Sequence, residues 1–377
     1  MRTKVLFLTL KVFSLTGGIE KVNRIAGKAL HDMDSFEVKI YSLHDCPRDA
    51  NIKYFPEKIF TAFGGSKINF VLRSLSEGAR SGLVILSHIN LLSVGYLIKK
   101  KSPKTKIILF AHGIEIWKPL PGWKQNMLRQ LDHILAVSRF TKKVIEKNHK
   151  IKEAQCTVLN NCLDPFLPGD NMAGKSPCLL KKYGLNNRDI ILMTLTRLSI
   201  KEKYKGYEKV IQAIKELLPE YPRLKYLIIG KYEAFEKQRL DDIINNSKLT
   251  QQVIFTGFIN DEQLAEYYKL AEVYVMPSKK EGFGIVFIEA MYYGLPVIGG
   301  NKDGSVDALC DGSLGLLVNP DDQQEITAAI KKVIDDINAF IPDRNLLLAK
   351  FSNETYRNNL KNILESLYDF KENKATY

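Results

Sequence analysis

In the second half of the chain, a predicted strand leads into a predicted helix through Pro277-Ser278-Lys279-Lys280-Glu281-Gly282-Phe283-Gly284-Ile285-Val286-Phe287-Ile288-Glu289-Ala290-Met291. The residues before it, 272–276, are mostly apolar β-formers in a run too short for a helix. Gly282 and Gly284 let the backbone turn tightly, and the helix is predicted to begin near Ile285. Because the first N–H groups of a helix lack intrahelical partners, this turn is a potential anion site.

Two carboxylates flank that potential anion site. Glu281 lies in the loop, and Glu289 lies in the first part of the predicted helix. A carboxylate repels a phosphate but accepts hydrogen bonds from hydroxyl groups. The arrangement therefore suits a ligand with a diphosphate in its middle and hydroxyl-bearing rings at both ends, which is the form of a nucleotide sugar.

The same stretch resembles the retaining GT-B glycosyltransferases of family 4. Glu281 and Glu289 have the E-x7-E spacing of these enzymes, and Gly282-Phe283-Gly284 and Gly294-Leu295-Pro296-Val297 match the surrounding pattern. The alternative is an ordinary strand–turn–helix with two surface glutamates. The resemblance implies an α/β fold of the GT-B type, in which two doubly wound Rossmann-like domains face each other across a deep crevice and a C-terminal helix crosses back to the first domain.

Length and turn residues predict the domain organisation. A chain of 377 residues is long for one domain. Strand and helix patterns alternate throughout, which predicts parallel sheets covered by helices on both faces. Proline and glycine cluster between 165 and 177, where we place the linker. The predicted acceptor- and membrane-facing domain comprises residues 1–168 plus a C-terminal helix of about 358–377, and the predicted nucleotide-sugar domain comprises residues 169–357.

The excess of basic residues is confined to the first half of the chain. The formal net charge is +13, and residues 1–170 contain 27 Lys and Arg against 14 Asp and Glu, which leaves 28 of each type in residues 171–377. The first half is therefore predicted to face an anionic partner. Residues 67–75 have the pattern of a basic amphipathic helix that lies on a membrane, although a solvated surface helix has the same pattern.

Composition argues against several other classes of protein. The five cysteines are odd in number and form no C-x-x-C pair, so we expect reduced thiols in a cytoplasmic protein and no zinc site. Lys11 interrupts the apolar start at residues 1–10, which we interpret as a first strand rather than a signal peptide. No apolar run is long enough for a membrane span. Nucleic-acid binding is supported by charge alone, since the sequence lacks an RRM-type signature, and we expect no nucleic-acid partner.

Two basic residues of the second half suit a diphosphate. Arg197 follows a predicted strand at 190–196, and Lys205 precedes the next predicted helix. The segment resembles the family's Gly-Arg-Leu … Lys-Gly segment, with Thr196 in place of the first glycine. Arginine offers a planar fork and lysine a compact charge, which together offset the charge that grows on a leaving nucleotide. The resemblance implies that both are catalytic and hold the diphosphate, assisted by the Gly284–Ile285 amides.

The resemblance assigns roles to further side chains. Glu281, as a catalytic residue, and the Gly282–Phe283 backbone contact hydroxyls of the transferred sugar, and Glu289 accepts hydrogen bonds from the ribose diol. His112, in the segment His112-Gly113-Ile114-Glu115, is the fourth catalytic residue and lies beside the transferred sugar.

The remaining donor contacts come from the backbone. The resemblance places Gly17 and Gly18 under the donor phosphates and the backbone of Ile259, after a predicted strand at 253–259, against the nucleobase. Backbone contacts leave the base undetermined, and UDP is slightly favoured over GDP. The family's Pro-Asn-Gly is replaced here by Asn160-Asn161-Cys162, so we carry over no ligand role beyond Asn161.

These observations predict a retaining, metal-independent hexosyl- or N-acetylhexosaminyltransferase without a cofactor. The expected acceptor is a hydroxyl of a glycan or of a polyprenyl-diphosphate-linked glycan used for surface polysaccharides. The expected location is cytoplasmic and peripheral, at an anionic inner face of the plasma membrane that the basic half contacts. Asp32-Met33-Asp34 is the only Asp-x-Asp and is predicted to lie at a helix end, in solvent. A non-catalytic sugar-nucleotide-binding protein remains the alternative; a phosphorylase or epimerase is disfavoured, since no lysine context for pyridoxal phosphate is present.

Overall fold

The computed structural model describes residues 2–169 and 174–369, which form two compact units. Unit 1 comprises the chain up to Pro165 together with the chain from Phe351 onward, and unit 2 comprises Phe166–Lys350. Residues 170–173 of the predicted linker at 165–177 lie outside the described residues. Residues 370–377 of the predicted C-terminal helix also lie outside them.

Unit 1 is built on a parallel sheet of seven strands in the order β3-β2-β1-β4-β5-β6-β7. The strands are β1 (Thr3–Thr9), β2 (Phe36–Ser42), β3 (Phe60–Ala62), β4 (Leu83–Leu86), β5 (Lys106–Ala111), β6 (His133–Ala136) and β7 (Cys156–Val158). Every residue of β4 and β5 is buried. Apart from Lys106, both strands are apolar throughout, as is usual where helices cover both faces of a parallel sheet.

Helices connect these strands and cover the sheet. They are α1 (Gly18–His31), α2 (Lys67–Gly78), α3 (Leu92–Lys101), α4 (Ile114–Trp117), α5 (Gly122–Arg129) and α6 (Arg139–His149), with 3-10 turns at Pro47–Asp49, Glu57–Ile59, Ile89–Leu91 and Glu153–Gln155. Phe70 of α2 and Ile98 of α3 are buried in the same apolar cluster, which also contains Val84 and Leu109 of the sheet. Burial of apolar surface, which contributes about 25 cal/mol of free energy per Å², holds these helices on the sheet.

Unit 2 repeats the design with a parallel sheet of six strands in the order β10-β9-β8-β11-β12-β13. The strands are β8 (Ile190–Leu195), β9 (Leu224–Ile229), β10 (Val253–Gly257), β11 (Val273–Met276), β12 (Val297–Gly300) and β13 (Leu316–Val318). The helices are α7 (Pro177–Tyr183), α8 (Tyr207–Leu217), α9 (Ala234–Asn246), α10 (Leu264–Leu270), α11 (Ile285–Tyr292), α12 (Ser305–Ala308), α13 (Gln323–Asp335) and α14 (Arg344–Phe351), with 3-10 turns at Ile200–Lys205, Cys310–Gly312 and Ile337–Phe340.

The strand order reverses once in each sheet, and this reversal identifies the loops that could bind a ligand. In unit 1 the reversal lies between β1 and β4, and in unit 2 it lies between β8 and β11. In doubly wound sheets, ligands bind beyond the carboxyl ends of the strands at such a reversal. In unit 2 the loops at that position are those that follow β8 and β11.

The last described helix, α15 (Asn353–Asp369), belongs to unit 1. It packs against α1, and its Leu360 and Leu364 are fully buried. The N–H of Leu163 donates to the carbonyl oxygen of Phe351 at 2.9 Å, which ties the start of this segment to unit 1. The predicted fold class, two doubly wound Rossmann-like domains, is confirmed.

Several boundaries differ from the sequence-based prediction. The strand predicted at 253–259 ends at Gly257, whose φ of +75° leaves the extended conformation. The three-residue strands β3, β7 and β13 were not predicted, because three residues carry too little alternation to be recognised. Within the described residues, no helix is both long enough and apolar enough to cross a membrane.

Candidate functional site

An ion pair between Lys205 and Glu281 is the centre of the candidate site in unit 2. Lys205 ends the 3-10 turn after β8, and Glu281 lies in the loop after the neighbouring strand β11. The Lys205 Nζ contacts Glu281 Oε1, and only 17% and 12% of the two side chains are exposed. Adjacent parallel strands end at the same edge of a sheet, so the topology of unit 2 brings these residues together.

The two charges stabilise each other. Burial disfavours the ammonium of Lys205, but the charge of Glu281 and its hydrogen bond outweigh burial, so the pKa of Lys205 is raised. Removal of one partner from a buried pair leaves an uncompensated charge, which is costly. A ligand phosphate that approaches Lys205 therefore meets a fully protonated ammonium that is already oriented.

The loop that carries Glu281 is joined to the loop that carries Lys205 through its backbone. Lys279 N–H donates to the carbonyl oxygen of Tyr204 at 2.9 Å. Gly206 has a φ of +81°, and a Cβ atom at this position would lie 2.5 Å from the carbonyl oxygen of Pro277. This close approach explains the glycine that follows Lys205, since any side chain would force the two loops apart.

A third loop, after β12, holds the backbone of Glu281. The Glu281 N–H donates to Asp303 Oδ2 at 2.6 Å, and the Gly304 N–H donates to the Glu281 carbonyl oxygen at 2.8 Å. Burial, together with the charge of Glu281, raises the pKa of Asp303 to about 7, although hydrogen bonds from Glu281 and Ser305 oppose this rise. The sequence did not single out Asp303; its only signal is its position in a glycine-rich loop after a buried strand.

Arg197 lies in the same region with a more exposed side chain. Its guanidinium pairs with Glu233 at 3.1 Å, and 61% of the side chain is exposed. An ion pair this exposed contributes little to stability, so Arg197 can exchange its partner for a ligand. Burial raises the pKa of the nearby Glu202, while the charges of Lys205 and Arg197 act in the opposite direction. Both cations are therefore close enough to act on the same carboxyl group.

The helix after Glu281 begins as predicted. Gly284 caps α11 in the left-handed conformation, with φ +89°, and the helix starts at Ile285. Glu289 is only 1% exposed, and the Tyr268 hydroxyl donates to its Oε2 at 3.1 Å. Tyr268 in turn stacks on Tyr293, with ring centroids 5.2 Å apart. Glu289 is thus held by the interior of unit 2, a burial that the sequence pattern did not predict.

In unit 1, the Gly-Gly segment stands at the start of α1. Gly17 caps the helix and Gly18 begins it, and a Cβ atom on Gly18 would meet no atom within 4 Å. The preceding loop is anchored on Asp45, which accepts from the Val12 N–H at 2.6 Å and the Ser14 N–H at 2.8 Å. Burial opposes ionisation of Asp45, but hydrogen bonds from Ser14 and Ser42 lower its pKa. No sequence motif marks this anchor.

His112 follows β5 and is held in one orientation. Its Nε2 lies 2.8 Å from the carbonyl oxygen of Ser87, which can only accept, so Nε2 carries a proton. Nδ1 is buried and has no hydrogen-bond partner among the described residues. Glu115 accepts from the N–H groups of His112 and Gly113 at 2.6 and 3.1 Å, so this glutamate shapes the loop.

Within residues 2–169 and 174–369, His, Cys, Asp and Glu form no group of three or more that could hold a metal ion. Ile259, predicted against the nucleobase, lies two positions past the end of β10 and is 9% exposed.

Comparisons with known proteins agree with this architecture. A family described as glycosyltransferase family 4 matches residues 16–165, and a family described as glycosyl transferases group 1 matches residues 178–346. A crystal structure of Anabaena Alr3699/HepE in complex with UDP-glucose superposes with a TM-score of 0.78 and 19% identity, over 97% of this chain and all of that one. At this identity the likeness concerns the fold alone.

Two curated relatives are similar over part of the chain. The GDP-mannose-dependent alpha-(1-6)-phosphatidylinositol monomannoside mannosyltransferase of Mycolicibacterium smegmatis is 26% identical over 250 residues, which are 63% of this chain and 63% of that protein. The alpha-monoglucosyldiacylglycerol synthase of Acholeplasma laidlawii is 26% identical over 210 residues, 55% of this chain and 51% of that protein. The chain thus spans about half to five-eighths of these relatives' length. The two glycosyltransferase families together match most of the sequence. The chain therefore belongs to the glycosyltransferases of family 4, also described as group 1.

Proposed function

We propose that the protein transfers a sugar, with retention of anomeric configuration, from a nucleotide-diphosphate sugar to a hydroxyl of a glycan or lipid-linked glycan. The observation that carries this proposal is the buried Lys205–Glu281 pair. The pair joins a cation suited to a phosphate and a carboxylate suited to sugar hydroxyls. It lies where the strand order of the unit 2 sheet reverses, within the residues that match the family described as glycosyl transferases group 1.

The chain's own residues would supply position and charge. We assign the diphosphate to Lys205 and Arg197, and to the N–H groups at the start of α11, where the helix dipole adds to the positive potential. As the bond to the sugar breaks, negative charge grows on the leaving diphosphate, and fixed cations stabilise it without reorganisation. The proposal needs no metal for this step, because Lys205 and Arg197 would supply the positive charge.

The sugar would be held by carboxylate and imidazole. We assign hydroxyls of the transferred sugar to Glu281 and to the Gly282–Phe283 backbone. His112 would accept a hydrogen bond from a further hydroxyl through Nδ1, which has no partner among the described residues, while Nε2 donates to the carbonyl oxygen of Ser87. Retention follows if the acceptor hydroxyl attacks on the face that the diphosphate leaves, with the departing phosphate taking the acceptor's proton. Correct placement of the reacting atoms is then the protein's main contribution.

The experiment that tests the proposal is hydrolysis of donors without acceptor, in EDTA. UDP-, GDP- and ADP-sugars are incubated with the protein, and the released sugar is followed by NMR. Slow hydrolysis of one donor class that gives first the anomer present in the donor supports a retaining transferase. Tight binding without any hydrolysis or transfer would indicate a non-catalytic binding protein, and binding of no nucleotide sugar would refute the proposal. We slightly favour UDP over GDP as the nucleotide of the donor; the HepE structure contains UDP-glucose, whereas the Mycolicibacterium relative is GDP-mannose-dependent.

Replacement of Glu289 by glutamine is expected to weaken nucleotide binding about ten-fold or more, since a charged hydrogen bond is worth roughly 1.5–3 kcal/mol. We propose that this carboxylate accepts from the ribose diol. Calorimetric titration with the nucleoside diphosphate measures the effect. Glu262→Gln, an exposed glutamate of the same unit, is the matched control. Wild-type affinity in the Glu289 variant would show that the carboxylate serves the interior of unit 2, where it contacts Tyr268, and not the nucleotide.

We also propose that unit 1 docks on an anionic membrane that carries the acceptor. Ile68 and Leu72, one turn apart on α2, are 75% and 61% exposed, and the exposed Lys67 and Arg73 lie beside them. Apolar side chains rimmed by cations suit a surface of anionic headgroups over acyl chains. The curated relatives named above carry lipid acceptors or products in their names.

The docking surface is tested by co-sedimentation with liposomes. Wild-type protein is expected to prefer anionic over neutral vesicles, and Ile68→Gln/Leu72→Gln should lower the bound fraction about ten-fold, because two apolar side chains no longer leave water. Phe235→Gln, at an aromatic residue of unit 2 that is 72% exposed, controls for loss of exposed apolar surface. Equal sedimentation with neutral and anionic lipid would contradict the proposed partner.

A further inference from the structure

We propose that Asp303 is a positioning residue that fixes the backbone of Glu281 and thereby aims the sugar-binding carboxylate. The inference rests on the proposed function, because it gives Glu281 a ligand to aim at. Asp303 itself would touch neither the donor nor the acceptor, because both of its carboxylate oxygens accept backbone N–H groups of unit 2.

The contact is a clamp on both backbone polar groups of one residue, the N–H and the carbonyl oxygen of Glu281. Asp303 Oδ2 accepts the Glu281 N–H at 2.6 Å, and the N–H of the next residue, Gly304, donates to the Glu281 carbonyl oxygen at 2.8 Å. The remaining oxygen, Asp303 Oδ1, accepts the Ser305 N–H at 2.9 Å. One carboxylate therefore joins the loop after β11 to the start of α12.

The two loops that the clamp joins are in direct backbone contact. A Cβ atom on Gly304 would lie 2.0 Å from the carbonyl oxygen of Gly282 and 2.8 Å from that of Glu281. A Cβ atom on Gly300 would lie 1.9 Å from the carbonyl oxygen of Ser278. The end of β12 and the loop after it thus follow the Glu281 loop at backbone contact distance, and glycine is required at both positions.

On its other side, Glu281 is held by Lys205. The side chain pairs with Lys205, while the backbone is held by Asp303. A ligand diphosphate that draws Lys205 away would remove the side-chain restraint and leave the backbone clamp as the restraint on the direction of the carboxylate. Two different residues of unit 2 thus perform the two tasks. Lys205 supplies the positive charge for the diphosphate, and Asp303 orients Glu281.

The carboxylate of Asp303 is chemically suited to this task. Two backbone N–H groups need two acceptor oxygens, which an ionised carboxylate supplies. An asparagine keeps one oxygen and turns an NH₂ donor toward the other N–H group, so one of the two hydrogen bonds is lost. Asp303→Asn is therefore a nearly isosteric variant that weakens the clamp without opening a cavity.

Protonation of Asp303 gives the clamp a spectroscopic signature. Among the charges of the described residues, that of Glu281 acts most strongly on Asp303, and Glu281 is itself paired with Lys205. Burial and this charge raise the pKa of Asp303 to about 7. The amide proton of Glu281, which points at Asp303 Oδ2, should therefore shift with a midpoint near neutral pH, and Asp303→Asn should abolish that titration.

A first experiment is independent of any ligand. Hydrogen exchange of the Glu281 and Ser305 amides is measured by NMR in wild-type protein, in Asp303→Asn and in the control Asn301→Ser, an exposed residue of the same loop. In Asp303→Asn the Glu281 amide or the Ser305 amide, whichever loses its acceptor oxygen, is expected to exchange about ten-fold faster, and neither should change in the control, since one hydrogen bond is worth roughly a factor of ten. Unchanged exchange of both amides in Asp303→Asn would overturn the clamp. Asp303→Ser, with one acceptor oxygen, serves if the asparagine variant does not fold.

A second experiment tests whether the clamp acts through Glu281. Dissociation constants for nucleotide sugar and for nucleoside diphosphate are measured in wild-type protein, Asp303→Asn, Glu281→Gln and the double variant. Asp303→Asn should weaken the nucleotide sugar about ten-fold and the diphosphate less than about three-fold, and it should add less than about two-fold when Glu281 is already glutamine.

The outcomes separate the inference from the function on which it rests. Equal losses for both ligands, or an equal loss in both backgrounds, would overturn Asp303 as a positioning residue and leave it a structural one. If wild-type protein binds no nucleotide sugar, the proposed function fails, whereas the exchange measurement still decides whether Asp303 holds Glu281.

Discussion

Replacement of Lys205 by methionine is expected to lower kcat/KM for sugar transfer by about two to three orders of magnitude, the usual cost of removing a preorganised group that stabilises transition-state charge. The ammonium is buried and oriented by Glu281, so water cannot replace it at little cost. Methionine keeps most of the volume of the lysine stem and removes the charge. Steady-state transfer rates with the preferred donor measure the effect.

The same variant also affects folding, and a second variant separates the two effects. An unpaired Glu281 costs roughly 3–5 kcal/mol when the partner of a buried pair is removed, so Lys205→Met should melt at a lower temperature. Lys205→Met/Glu281→Gln removes both charges and should recover stability but not activity. Lys201→Met, an exposed lysine of the same turn, should resemble wild type. Substantial activity in a folded Lys205→Met protein would contradict the assigned role.

Replacement of Glu281 by glutamine has the second-largest expected effect, a fall of about a hundred-fold in kcat/KM. A neutral amide accepts sugar hydroxyls less strongly than a carboxylate, and a charged hydrogen bond contributes roughly 1.5–3 kcal/mol. Affinity for the nucleoside diphosphate should change by less than about three-fold, because the bound phosphate replaces Glu281 as the anionic partner of Lys205 and no longer competes with a carboxylate. The nucleotide sugar should lose the part of its affinity that the sugar contributes.

The control for this variant lies next to it. Lys280→Gln changes an exposed residue in the same loop and should leave both affinities close to those of wild type. Titrations with paired ligands, nucleotide sugar and nucleoside diphosphate, measure the difference directly. A parallel loss for both ligands in Glu281→Gln would mean that this carboxylate shapes the phosphate site rather than the sugar site.

The sequence predicted most of the architecture because buried parallel strands have a strong signature. Runs such as Leu83–Leu86 are apolar throughout, and they alternate with amphipathic helices, so their type was unambiguous. The helix start at Ile285 was also predictable, since Gly282 and Gly284 mark the turn. The strand predicted to reach Ile259 ended earlier, because apolar residues after Gly257 look the same whether the chain is extended or turning.

The sequence could not predict contacts that depend on how loops from distant parts of the chain meet. Asp303 contacts Glu281 across 22 positions of sequence, and Asp45 anchors the loop of Val12 and Ser14 across more than 30. A lone aspartate in a loop has no periodicity or spacing to reveal its partner. The interior position of Glu289 was missed for the same reason, since its contact with Tyr268 arises only when α10 and α11 pack.

The central claim is that unit 2 grips the diphosphate of a nucleotide sugar at the ends of β8 and β11. A crystal structure of the protein with its preferred nucleoside diphosphate tests it most directly. The account predicts phosphate oxygens within hydrogen-bond distance of Lys205 Nζ and of the Ile285 N–H, with the Arg197 guanidinium turned from Glu233 to the ligand. Density for the diphosphate elsewhere on the chain, with the Lys205–Glu281 pair untouched, would contradict it.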